Sequence, residues 1–455
     1  MTVNRRSLLA AGAGLGAAGA AQTARAGEKA PQRDALRQIS HEIAAGLVPN
    51  TGRNLSAELQ AAIDTAADKD VPLVLPPGRF IVSDLRLRAG TRLIGAARTT
   101  VLEFSGGPAF ITADRADGIR LQGLVIDGAF KAHDATRGEG LVSLSRASGI
   151  VIDDCEIRQG ARSGLVLTAC AGRVTNSTMT SMLDAGLKSL DAAGLEISSN
   201  TVTVCGNNGI QVWRSAQGED ATIVSSNRIT KIRNAAGGTG EYGNGINVFR
   251  AGSVLVKGNR ISDCSYSAIR GNAACNIQIV GNSCERLGEV AIYSEFGFQG
   301  ALIANNIVDH AATGISVTNF NEGGRLAVIQ GNLIRNLTRR EHEKEDKRGE
   351  GIGVEADAVV SGNTIEGAPS VGIQIGWGPY MRDVSATGNV IRRSKVGISI
   401  TAAPEAGTCL VANNLISDTK DGAIRTMSFG VITGPELAHE TRGTGRLMLS
   451  GNVAV

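Results

Sequence analysis

The chain has 455 residues, 59 of them glycine, with 42% hydrophobic but only 3% aromatic residues. It is long enough for a large core, which must be built from small aliphatics, and too long for a small disulfide scaffold. Arg5, Arg6 and Arg25 are the only charges before Gly27; setting them aside leaves 43 basic against 43 acidic residues. The positive surplus that phosphate-backbone binding requires is absent, so nucleic acid is not an expected partner. No apolar run approaches the roughly 20 residues of a membrane-spanning helix, so no membrane span is expected.

Residues 1–26 carry Asn4-Arg5-Arg6-Ser7-Leu8-Leu9, a Gly/Ala-rich apolar stretch, and Ala24-Arg25-Ala26. Charged start, short apolar middle and small-residue end are the parts of a secretory signal. The arginine pair beside a weakly hydrophobic stretch looks like a twin-arginine signal, which implies the twin-arginine export machinery as a partner and a periplasmic mature protein. The seven cysteines are an odd number and form no Cys-x-x-Cys or Cys/His metal spacing, so most are expected as buried apolar fillers.

Residues 27–70 hold an N-terminal segment and one amphipathic pattern, Asn54 to Ala67, with Leu55, Leu59, Ile63 and Ala66 on one side. This helix is expected to cap the open end of a stack of strands. Val71 to Gly78, Phe80 to Leu87 and Arg92 to Gly95 read as the opening strands of that stack.

From there the chain repeats itself. One phrase is a small residue, Asn, any residue and an aliphatic, as in Gly258-Asn259-Arg260-Ile261, Gly331-Asn332-Leu333-Ile334 and Gly388-Asn389-Val390-Ile391. The other is Gly-Ile-x-aliphatic, as in Gly245-Ile246-Asn247-Val248 and Gly372-Ile373-Gln374-Ile375. Turn positions from Leu124 to Asn414 define twelve units, each with period-two alternation rich in Val and Ile and none with a helical pattern. Such units cannot hide their own apolar residues and must stack to share one interior. The Asn is expected to take the left-handed conformation of a tight turn, and its stacked amides to satisfy one another.

Leu59-Gln60-Ala61-Ala62-Ile63-Asp64, then Leu75-Pro76-Pro77-Gly78-Arg79-Phe80, then the Gly-Asn coils, resemble the right-handed parallel β-helix proteins of the pectate-lyase-like superfamily. With the arginine-pair leader the chain looks most like the twin-arginine-translocated repeat family, whose activity is not established. The resemblance implies an all-β, single-stranded right-handed parallel β-helix of about twelve coils over residues 71–455.

The regular gap from turn to next Gly-Ile phrase is 8 or 9 residues, but the first, fifth and ninth units have 16, 18 and 19. The extra residues form loops Gly128 to Glu139, Asn234 to Asn244 and Thr338 to Glu350. Insertions at one point of a coil project from one edge. With coils roughly 4.8 Å apart, loops four coils apart stand about 19 Å from one another. They are expected to wall a groove along the Gly-Ile strands, the place where the resemblance puts a polysaccharide cleft.

If each Ile points inward, alternation exposes Trp213, Asn247, Phe249, Arg270, Asn272, Tyr293, Glu295, Ser316 and Glu355 on that face. Removing a proton beside a uronate carboxylate needs a base and a cation or acid to hold the developing charge, so Arg270, Tyr293 and Glu295 are the candidate catalytic residues. Trp213, Asn247, Phe249, Asn272, Ser316 and Glu355 are candidate substrate contacts. Glu295 and Glu355, about 10 Å apart by coil spacing, make a marginal inverting hydrolytic pair. The Gly-His-Gly and Asp-Asp of polygalacturonases, the Arg-x-Pro-x-x-Arg of pectate lyases and the Asp-Pro-His of mannuronan epimerases are missing, so no catalytic role transfers.

His133-Asp134 is a weak general-base candidate. His342 stands in a mixed-charge run read as a solvated tip. Asp153-Asp154 is read as turn chemistry rather than a calcium site. No cofactor is expected, with Ca2+ left open. The expected function is a carbohydrate-active protein, a lyase or C5-epimerase on an acidic polysaccharide, or else a non-catalytic polysaccharide-binding or envelope-structural protein.

Overall fold

A computed structural model describes residues 38, 40, 43–339, 349–439 and 443–455. The arginine-pair leader and His342 lie outside them. The chain winds as a parallel solenoid of three sheets, each coil giving one strand to each. We name the sheets by their opening strands: sheet I from Leu73–Val74, sheet II from Gly78–Val82 and sheet III from Leu85–Arg86. Sheet III has 15 strands, of which the last pairs antiparallel, leaving fourteen coils. That is two more than the turn phrases predict, because the first two coils turn at Pro76-Pro77 and near Ala96, without a Gly-Asn signature.

The core is a column of small aliphatics. Ile246, Ile269, Ile292 and Ile315 stack in register in sheet III and are fully buried. A coil leaves no room for more than about two such layers, which is why aromatics are scarce; Phe80, Phe104 and Phe110 are buried in the first coils, under the cap. The capping helix α1, Ser56–Asp68, buries Leu59, Ile63 and Ala66 as the sequence predicts, and Ala62 with them, while Leu55 is buried just before its first turn. Asn54 Oδ1 accepts from the Ser56 N–H at 2.9 Å. At the other end Val431–Glu436 and Gly443–Thr444 fold back antiparallel on sheets III and I, covering edges that a stack would otherwise leave open. Six of the seven cysteines are buried and free, and burial pushes the thiols of Cys155, Cys205, Cys284 and Cys409 up to about 12.

Between sheets I and II runs a ladder of inward asparagines: Asn200, Asn227, Asn259, Asn282, Asn306, Asn332, Asn363, Asn389 and Asn414, all almost fully buried. Asn200 Oδ1 accepts from the Ser177 N–H at 2.9 Å; from Asn227 on, each Oδ1 accepts from the backbone N–H and the amide of the asparagine before it, and each Nδ2 also donates to a sheet I carbonyl, as in Asn306 Nδ2 to Ile279 O at 2.9 Å. One expectation is corrected. The left-handed residue is the one before the ladder asparagine, such as Gly331 at φ 64° or Ser199 at φ 60°, and the ladder residues themselves are not left-handed. The preceding residue takes the sharp bend, which frees the asparagine to turn its amide inward.

Ion pairs decorate the outer faces. Asp357 accepts from Arg382 at 2.8 and 2.7 Å and from Arg325 at 2.7 Å, and these hydrogen bonds hold its carboxyl down at about 2 against an ordinary 3.8. A depressed carboxyl stabilises the fold above its ordinary value, and the contribution is lost as pH falls through the folded one. Asp357→Asn is therefore expected to melt below the parent at pH 6, with the gap closing between about pH 4 and pH 2. Thermal melts across that range check this; a gap independent of pH would show that the pair contributes nothing.

Candidate functional site

All three long loops leave the solenoid at the corner between sheets II and III. They join Val125–Asp127 to Gly140–Ser145, Arg228–Ile232 to Ile246–Gly252, and Leu333–Arg335 to Glu350–Val354. The first two are described in full; residues 340–348 of the third lie outside the described residues. The first two loops and the described ends of the third share one flank of the sheet III face.

Two rows of outward residues cross this face. Register places Gln211, Asn247, Arg270, Tyr293 and Ser316 in one row, and Trp213, Phe249, Asn272 and Glu295 in the other. Trp213 and Phe249 meet edge to face with centroids 6.0 Å apart. Trp213 Nε1 donates to Asn247 Oδ1 at 3.3 Å, and Asn247 Nδ2 donates to the Glu241 carbonyl at 2.8 Å, tying the second loop to the sheet. Asn208 and Asn244 also donate to backbone carbonyls at Gly240 and Glu241, and the Tyr266 hydroxyl donates to Gly238 O at 3.0 Å. The loop is thus a pinned strap. Gly240 is required in it: its φ is +140°, and any Cβ there would overlap the Arg270 guanidinium.

Arg270 is 9% exposed. Its Nε and Nη2 donate to the two oxygens of Glu295 at 2.6 and 3.0 Å, its Nη1 to Glu289 at 3.4 Å, and its Cζ lies 5.1 Å from the Tyr293 ring centre. Burial opposes its charge, yet Glu295 and Glu289 raise its pKa. Asn272 Nδ2 gives Glu295, 2% exposed, a third hydrogen bond at 3.1 Å. Burial, then the Glu295 charge, push the Tyr293 hydroxyl up to about 12, so it keeps its proton.

A cavity of about 440 Å³ opens beside this pair, lined by Trp213, Thr239, Gly240, Glu241, Asn247, Phe249, Arg270, Asn272 and Phe296. Five of the nine residues expected on this face line it: Trp213, Asn247, Phe249, Arg270 and Asn272. Tyr293 and Glu295 stand next to it on the following coil, in register with Arg270 and Asn272. Ser316 is buried beside Thr318, and Glu355 turns away, its Oε2 accepting from the Phe320 N–H at 2.7 Å. Burial raises the Glu355 carboxyl.

Sequence reasoning placed Thr239, Gly240 and Glu241 in the walling loop without singling them out, and it missed Phe296. Strand Ile210–Glu219 slips register between Trp213 and Gly218, so Arg214 to Gln217 bulge outward. Gln217 Nε2 then reaches Ala273 O at 2.9 Å and Gly297 O at 3.3 Å, spanning two further coils. A spacing signal existed: Asn227 follows Gly209 by 18 positions, whereas Asn259 follows Gly245 by 14.

The secondary candidates fall away from the cavity. His133 is 9% exposed, edge-on to Phe104 at 6.2 Å, and its ring nitrogens have no hydrogen-bond partner; burial lowers its pKa and keeps it neutral. Asp153 accepts from Thr175 Oγ1 at 2.7 Å and Asn176 Nδ2 at 2.9 Å, which is turn chemistry. Among the described residues no cluster of His, Cys, Asp and Glu is placed to hold a metal ion, and no helix is long and apolar enough to cross a membrane.

Three parallel sheets wound coil on coil around an asparagine ladder define a β-helix. The chain matches the family described as right-handed β-helix region over residues 110–229 and 216–391, and it belongs to that family. Among solved structures it is similar to the catalytic unit of a thermostable α-1,3-glucanase from Streptomyces thermodiastaticus, with 16% identity, 90% of this chain and 67% of that one covered, and a TM-score of 0.50. It is also similar to PfbA, a surface adhesin of Streptococcus pneumoniae, with 15% identity, 85% and 92% coverage and a TM-score of 0.51. An enzyme and an adhesin share the fold, so these likenesses speak for the fold alone and function has to come from the site. No curated protein sequence matches the chain.

Proposed function

We propose that the sheet III trough takes a polysaccharide chain along the solenoid axis, making this a carbohydrate-active β-helix protein. The supporting observation is the cavity itself: the Trp213 and Phe249 rings stand edge to face beside the Asn247 and Asn272 amides, under a pinned loop. Sugar rings offer C–H surface to aromatics and hydroxyls to amides, and a concave site with a few placed polar groups suits them.

Recognition without turnover is the reading this geometry favours, because both oxygens of Glu295 are already taken up by Arg270 and Asn272 and neither is left facing a substrate proton. The second reading is a lyase or C5-epimerase on an acidic polysaccharide, with Glu295 as base, Arg270 as cation and Tyr293 as acid. It draws on the Tyr293 hydroxyl, which retains its proton at neutral pH next to the cavity. The leader supports export by the twin-arginine route to the periplasm, in keeping with the twin-arginine-translocated repeat family.

Incubating the protein with uronate polymers and measuring unsaturated ends and C5 inversion decides between the two. Retention of polymer with no product is the expected result. Product formation that disappears in Tyr293→Phe would establish catalysis.

A further inference from the structure

Resting on the polysaccharide reading above, we propose that the cavity beside the 234–244 strap, rimmed by Phe296, is a subsite for an uncharged sugar ring, so that the polymer bound here is neutral at this position. The juxtaposition behind this is an aromatic floor whose one lining cation, Arg270, is already chelated by Glu295.

The apolar surface comes from Trp213 and Phe249, both half-buried, and from Phe296, 40% exposed at the rim. In a chain with 3% aromatic residues, three rings around one cavity form a concentration the core does not need. The polar groups between them are neutral. The Asn272 carbonyl oxygen accepts no hydrogen bond among the described residues, and Thr239 is exposed at the edge. Hydroxyls both donate and accept, so amides and a threonine match a sugar ring without demanding charge.

A uronate would need more. Its carboxylate, drawn out of water, requires a cation with uncommitted donors. Arg270 lines the cavity, but it is 9% exposed and chelates Glu295, with Glu289 on its remaining arm. Lys188 lies 6.0 Å from the Trp213 ring centre and is paired with Glu139 of the first loop at 2.5 Å. Arg250 lies over Phe249 but outside the cavity lining, exposed to water, with Nη1 on Ser215 O at 3.0 Å. Against these three cations stand four carboxylates, Glu139, Glu241, Glu289 and Glu295, so the field at the mouth does not attract an anion.

Calorimetric titration of the full chain with neutral gluco-oligosaccharides of several linkages, and with oligogalacturonate and oligomannuronate, tests the subsite. We expect binding of at least one neutral series, with affinity unchanged between about 0.05 and about 0.5 M salt because no ion pair is made. Trp213→Ala should weaken that binding by about tenfold or more, the value of a lost aromatic contact. Phe296→Ala, at an exposed rim position that folding does not depend on, should weaken it severalfold. Salt-sensitive binding of the uronates alone would overturn the neutral subsite while leaving the polysaccharide reading standing. Neutral binding untouched by either substitution would place the ligand elsewhere and overturn it too. Failure of every glycan to bind would overturn the polysaccharide reading itself.

Discussion

Asn306→Ala is expected to cost about 3–6 kcal/mol of stability, more than any substitution of an outward residue of the same coil. The side chain is 1% exposed and sits inside the ladder. Its Oδ1 accepts from both nitrogens of Asn282, and its Nδ2 serves Ile279 O and Asn332 Oδ1. Truncation strands the Asn282 N–H, takes a donor from the Ile279 carbonyl, and halves the partners of two further amides, all buried inside the ladder. Each buried group left unsatisfied costs about 1–3 kcal/mol. Asn452, the last rung, is half-buried and passes its bonds in one direction only, to Asn414 and Val411. Asn452→Ala should therefore cost about 1–2 kcal/mol. A solenoid's stability is close to a sum over neighbouring coils, so the weak joint at Asn306 should also split urea unfolding into two steps. Equal costs at the two positions would mean that the ladder fills space and nothing more.

That ladder, and the fold around it, can be read in the sequence because every rung repeats the same local demand. A bend residue, an inward amide and an inward aliphatic recur every 22 to 27 residues in most units, and gaps longer than 9 residues mark where the corner loops emerge. Strand alternation then names the correct outward residues, since a strand's period of two survives whatever surrounds it. What it does not give is where each side chain points. Arg270, Tyr293 and Glu295 fall on adjacent coils as expected, yet the guanidinium turns along the sheet to Glu295, and Gly240 closes over it. Glu355 belongs to the same face by alternation, but the left-handed Asn319 turns the chain so that the Phe320 N–H captures its carboxylate. The 214–217 bulge escaped for a different reason: a register slip inside one strand leaves the turn phrases intact on both sides, and only the added spacing betrays it.

Arg270→Met is expected to destabilise the protein by about 3–5 kcal/mol, because it leaves the Glu295 carboxylate, 2% exposed, without its cation. Glu295→Met should cost a similar amount by stranding the guanidinium. The double variant removes both charges from the same buried space and is expected to recover most of the loss, since well-packed apolar side chains often replace a buried pair at little net cost. Urea titrations of the four proteins give the coupling energy directly. The recovered double variant then separates the two readings of the site. If Arg270 and Glu295 only brace the site, it folds and still retains polysaccharide in the trough, because the rings of Trp213, Phe249 and Phe296 are untouched. If the pair does chemistry on an acidic polymer, the double variant folds, binds, and makes no product where the parent does. Single variants as stable as the parent would mean that solvent reaches the pair, and that Arg270 is open to a ligand's carboxylate after all.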